Sequence, residues 1–149
     1  MDADDPAYSA WLLQVPRELT GDALWRLPAY RFAVFLAAQT QEDVRSIIAD
    51  PRTRPLADQL VRAVGSIAVN LAEGYSRSSG RERAHLYEYA LGSAREARDW
   101  YYQCSIALPA GASQSRLACL TRVIRILTAV IPRERRTSLH PDGRRRSDP

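Results

Sequence analysis

At 149 residues, with 46% apolar and 26% charged side chains, the chain fits one domain with a substantial core. No apolar run approaches the roughly 20 residues that cross a bilayer, and two cysteines, Cys104 and Cys119, are too few for a disulfide framework. All 21 basic residues are arginine, in a net charge of +4. Without lysine, a phosphate-binding loop and Schiff-base chemistry are both excluded.

Charge is unevenly spread. Residues 1–50 carry 4 Arg against 8 acidic residues, and residues 51–149 carry 17 Arg against 9. An acidic entry followed by a basic remainder suggests a surface that faces a polyanion. The start, Met1-Asp2-Ala3-Asp4-Asp5, is acidic where an export signal is basic, so a cytoplasmic protein with reduced thiols is expected.

Residues 1–23 hold Tyr8, Trp11, Leu12, Leu13 and Val15, too apolar for a mere tail. They read as an N-terminal arm that packs either across its own chain or against a neighbouring subunit. The first helical period runs through Leu27, Tyr30, Val34, Ala37, Gln41, Val44 and Ile48, predicting a helix over Pro28–Ala49 that Asp50-Pro51 ends. The second stripe is Leu56, Leu60, Ala63, Val64, Ile67 and Leu71, with Pro55 in the first turn and a stop at Gly74.

Ser79 stands three residues before Glu82, a capping-box pattern that opens the third helix. Its stripe of Leu86, Ala90, Ala94, Ala97, Tyr101, Cys104 and Leu108 is alanine-rich and breaks at Pro109-Ala110-Gly111. Ser113 is expected to cap the fourth helix, with its stripe at Leu117, Leu120, Ile124, Leu127 and Ile131 and its end at Pro132. No strand or hairpin pattern is present. These elements predict an all-α, antiparallel up-and-down four-helix bundle over 24–132, with the arm at 1–23 and a basic tail at 133–149.

Polar residues interrupt the middle of this pattern. Ser66 and Asn70 share a face of the second helix, Glu73 follows, and Glu88, Ser93 and Glu96 lie on the third. With Arg62 they read as a structural polar network fixing the register of the two helices. The competing reading is a ligand site between the helices. Arg77, Arg81 and Arg83 cluster at the turn into the third helix, and Arg122, Arg125, Arg133, Arg135 and Arg136 make the fourth helix and its exit basic. These eight are the candidate phosphate contacts, against the alternative of a solvated basic face, and Arg144–Arg146 extend the charge. Base stacking calls for exposed aromatics beside them, with Tyr75, Tyr87, Tyr89, Trp100, Tyr101 and Tyr102 the candidates, most assigned by spacing to packing.

No nucleophile–base set is recognisable. His85 and His140 are too few for zinc, the cysteines lack a C-x-x-C spacing, and His85 with Glu88 reverses the order of a Glu-x-x-His motif. A protein without catalysis, metal or cofactor is therefore expected.

The segment Gln59–Trp100 carries a resemblance. Gln59, Arg62, Ala63, Ser66, Ile67, Asn70, Ala72, Glu73, Gly74, Arg77, Ala90, Gly92, Ser93 and Glu96 fall on the pattern Q-x-x-R-A-x-x-S-I-x-x-N-I-A-E-G … R … A-x-G-S-x-x-E. That pattern is similar to the four-helix-bundle family encoded in intervening sequences of bacterial 23S rRNA genes. Leu71 replaces the usual isoleucine and Ala68 a common proline, over a match of roughly 25–131.

The resemblance implies a bundle that assembles as a homo-oligomer, commonly a pentamer, in a family with no established enzymatic activity. The accessory protein of diversity-generating retroelements is similar, being a basic pentameric bundle that binds nucleic acid and a reverse transcriptase. By that analogy a non-catalytic accessory protein holding RNA or DNA is expected. The alternatives are a scaffold whose partner is a reverse transcriptase or other protein, and a small-molecule binder.

Overall fold

The computed structural model describes residues 5–137. Among them every regular element is helical: α1 (Pro6–Leu12), α2 (Arg17–Thr20), α3 (Pro28–Ala49), α4 (Ala57–Tyr75), α5 (Gly80–Gln103) and α6 (Ala112–Arg136). Short 3-10 turns at Ala23–Arg26, Arg54–Leu56 and Cys104–Ala107 join them, and no strand occurs among the described residues.

Local chemistry sets the ends. Pro28 occupies the first turn of α3, where its missing N–H leaves nothing unsatisfied, and Asp50 turns extended ahead of Pro51. The Asp50 carboxylate then accepts the Arg52 backbone N–H and guanidinium, which hold its carboxyl down to about 2. Ser79 caps α5, its hydroxyl accepting the Glu82 N–H at 3.5 Å.

Several boundaries differ from the sequence reading. The third long helix ends at Gln103, with Cys104 in a 3-10 turn and short of the expected Leu108, and Pro55 lies in the 3-10 turn ahead of α4, which begins at Ala57. Gly74 does not stop α4, which runs on to Tyr75; it is a packing position, since a Cβ there would lie 2.8 Å from the Tyr87 ring. Gly111, at φ 80°, takes the cap position of α6 in place of Ser113, in a left-handed conformation natural to glycine. Pro132 lies inside α6, which continues to Arg136. The lost hydrogen bond is offset by anchors beyond it: Glu134 pairs with Arg83, and Arg135 with Glu88. Residues 133–136, assigned to the tail, are thus helical, while residues 138–149 with Arg144–Arg146 and His140 lie outside the described residues.

The four long helices pack in a ring, α3 against α4 and α6, and α5 against α4 and α6. Ala84, Ala90, Ala94 and Ala97 are fully buried along α5, letting its backbone approach both neighbours closely. Leu60, Ile67 and Leu71 of α4 and Leu120 and Leu127 of α6 fill the centre as their stripes predict.

On α3 the period is right but the face is not. The buried residues are Ala29, Phe32, Ala33, Phe35, Leu36, Thr40, Asp43 and Ile47, centred one position back from the expected stripe, whose Gln41 and Ile48 are exposed. That shift turns the helix by about 100°. The arm packs on its own chain: Tyr8 is buried, stacked 4.9 Å from Phe32 and edge-on 5.2 Å from Phe35, with Trp11 beside it. No helix among the described residues is long and apolar enough to cross a membrane.

Candidate nucleic-acid interface

The α4–α5 turn and the end of α6 are locked together by one side chain. Arg83 is fully buried; its Nε donates to Glu134 Oε2 at 2.7 Å, and its Nη1 donates to the carbonyls of Arg77 at 2.9 Å and Ser78 at 3.2 Å. This corrects the expectation of a phosphate contact at Arg83. Its fork is committed to a carboxylate and two carbonyls, and a buried arginine requires such partners. Gly80 completes the seat, since any Cβ there would collide with the carbonyl oxygens of Glu134 and Thr137. Beside it burial raises the Tyr87 phenol, and the Glu134 charge adds to the rise.

Around this anchor a cleft of about 690 Å³ opens, lined by Arg77, Arg81, Glu82, His85, Leu86, Glu88 and Arg135. Arg77 pairs with Glu73 one turn back at 2.5 Å, both half-exposed. Arg135 pairs across from α6 to Glu88 on α5, and His85 Nδ1 stands 3.8 Å from the same carboxylate. Arg81 is exposed and has no ion-pair partner among the described residues. Exposed pairs of this kind contribute about 0–1 kcal/mol each, so they hold their arginines only weakly.

The other candidate arginines lie elsewhere. Arg122 sits over the Phe32 ring, 4.9 Å from its centroid, and Arg125 is exposed further along α6. Arg133 and Arg136 are exposed in the last turn of α6, near the cleft-lining Arg135 in sequence and favourable to the helix dipole.

The expected polar network is several separate contacts. Asn70 Nδ2 donates to Ser66 Oγ at 2.9 Å and to the Ser66 carbonyl at 2.8 Å, and Ser93 Oγ lies 3.0 Å from Ser66 Oγ. These three do tie α4 to α5. Glu73 and Glu88 serve the cleft arginines, Glu96 accepts the Trp100 indole N–H at 3.2 Å, and Arg62 pairs with Asp58 at 3.1 Å.

A deeper network was not visible in the sequence. Asp43 on α3 accepts Arg116 of α6 through both oxygens, at 2.7 and 3.2 Å, and the Tyr101 hydroxyl of α5 at 2.9 Å. Thr40 Oγ1 stands 2.8 Å from that hydroxyl and donates to the Leu36 carbonyl. Asp43, Thr40 and Tyr101 are buried, and desolvation raises the Tyr101 phenol well above its ordinary value. The only hint in the sequence was the two polar residues spaced along α3 at 40 and 43.

Among curated proteins none matches the chain. A family model does match, over residues 26–129, which spans α3, α4, α5 and most of α6 and leaves α1 outside. By that match the chain belongs to the family described as 23S rRNA-intervening sequence protein.

Proposed function

We propose that this chain is a non-catalytic, oligomeric, nucleic-acid-binding accessory protein of the cytoplasm, holding the phosphates of RNA or DNA on arginine side chains. The observation that carries this reading is the cleft, where Arg77, Arg81 and Arg135 come together from a helix turn and two helices. Arg133, Arg136 and Arg125 extend the positive surface along α6. The reading takes the ring of long helices as an antiparallel up-and-down bundle and the working unit as a homopentamer, which repeats the cleft five times. Membership in a family named for an rRNA intervening sequence supports an RNA-related role.

The test is fluorescence anisotropy with labelled RNA and DNA of about 12 nucleotides, between about 50 and 200 mM salt. Affinity is expected to fall steeply with salt, and replacing Arg77, Arg81 and Arg135 together by alanine is expected to flatten the log–log slope by about 2. Light scattering of the purified chain reports the subunit count in the same experiment. Absence of salt-sensitive binding overturns the reading.

One observation favours a second reading. Tyr102 near the end of α5 and Ile106 in the 3-10 turn that follows are exposed, at 70% and 58%, apolar side chains suited to a protein partner such as a reverse transcriptase. Under that reading the Tyr102→Ser and Ile106→Ser variants lose the partner in a pull-down and keep whatever nucleic-acid affinity the wild type has.

A further inference from the structure

Resting on the proposed nucleic-acid binding, we infer that the cleft selects a single strand, seating one phosphate on its arginines and stacking an unpaired base on Tyr89. Three observations converge on this assignment.

The first is the position of the ring. Tyr89 is 55% exposed, one turn beyond the cleft-lining His85, whose imidazole meets it edge-on at 4.8 Å. Other aromatic candidates are less suited. Tyr75, at the end of α4, is half-buried and already engaged. Tyr87 and Tyr101 are buried, and Trp100 is half-buried with its indole N–H on Glu96. Tyr102 is exposed but lies thirteen residues further along α5, about 20 Å away at 1.5 Å per residue. An exposed ring next to clustered arginines is the arrangement that binds strands with free base faces, because paired bases are already stacked on one another.

The second is the size of the cleft. About 690 Å³ lies within the range of roughly 300–1,000 Å³ that encloses a small-molecule-sized group, which suits one nucleotide better than the broad flank of a duplex.

The third is the pair of carboxylates. Glu82 and Glu88 line the same cleft as the arginines. They oppose a continuous row of phosphates, yet accept hydrogen bonds from the amino groups of base edges, which a lone strand can turn toward them. Transfer of Arg135 to the phosphate frees the Glu88 carboxylate to accept such a bond, with His85 Nδ1 3.8 Å from it.

The test uses the full chain, a single-stranded RNA of about 12 nucleotides carrying one 2-aminopurine, and the same RNA annealed to its complement. The expected result is at least tenfold tighter binding of the single strand, with 2-aminopurine fluorescence quenched on binding. Tyr89→Ala is expected to lose the quenching and to weaken the single strand about tenfold while leaving duplex affinity unchanged, and Tyr89→Trp to restore both. Tyr89→Ala binding and quenching the strand like wild type overturns the inference, as does equal affinity for strand and duplex. In both cases the broader nucleic-acid reading survives. If neither RNA binds in a salt-sensitive manner, that broader reading fails along with this one.

Discussion

Asp43 and Arg116 form a buried ion pair, and the energetics of such pairs are asymmetric. Removing one partner leaves the other charge dehydrated and alone, whereas replacing both with apolar residues of similar volume costs little. Arg116→Met is therefore expected to lower unfolding free energy by about 3–5 kcal/mol, and the double variant Asp43→Leu/Arg116→Met to recover most of the loss in urea titrations. Cys119 supports a second prediction. Burial pushes its thiol up to about 12 from the ordinary 9.0. Between those values the unfolded chain has lost a proton that the folded chain retains, so stability falls as pH rises through that window. Burial raises the phenols of Tyr87 and Tyr101 as well, so they act in the same direction at higher pH. The urea midpoint is expected to be flat to about pH 8 and to drop by pH 10.5, with a shallower decline in Cys119→Ala. At this scale the sequence showed which residues were charged and not which were buried. Arg83 and Arg116 look like any other arginine until Glu134 and Asp43, 51 and 73 positions away, come beside them.

Among the elements, α3 separates what periodicity reveals from what it hides. Steps of three and four located the helix and its end at Asp50-Pro51, because proline geometry is local. The face was misplaced because the true buried stripe contains Thr40 and Asp43, polar residues that a hydrophobic pattern passes over. The stripes of α4 and α6 contain no such charge and were legible, and so was α5 from Ala90 to Tyr101; its first turns were not, since buried Arg83 and Tyr87 stand there and the expected Leu86 lines the cleft. The continuation of α6 past Pro132 was not, since it depends on Arg83, Glu88 and Gly80 of another helix. Gly80→Ala tests that dependence. Its new methyl has only backbone carbonyls to meet, which cannot rotate away, so the α5–α6 seat must open. A loss of about 1–3 kcal/mol is expected, with faster amide exchange in the last turn of α6.

For the molecule as a whole, the family match begins at residue 26, yet the structure buries Tyr8 of α1 among Phe32, Phe35 and Trp11. The arm is thus part of the same core. Tyr8→Ala is expected to cost roughly 3 kcal/mol in a single cooperative transition, measured by calorimetry. If the arm were an independent appendage, the main transition would not move. The cleft itself was half legible: Arg77 and Arg81 stand close in sequence, but Arg135 joins them only because α6 ends beside the start of α5.

The Asp43 contacts carry a kinetic consequence. Their partners are 58 and 73 residues away in sequence, on two other helices, α5 and α6. Such contacts close long chain loops and satisfy their charges only once α3, α5 and α6 are all in place, so they are expected to form after the rate-limiting step of folding. Arg116→Met should then leave the refolding rate nearly unchanged and accelerate unfolding, so that this pair governs how long the native molecule persists rather than how fast it is made.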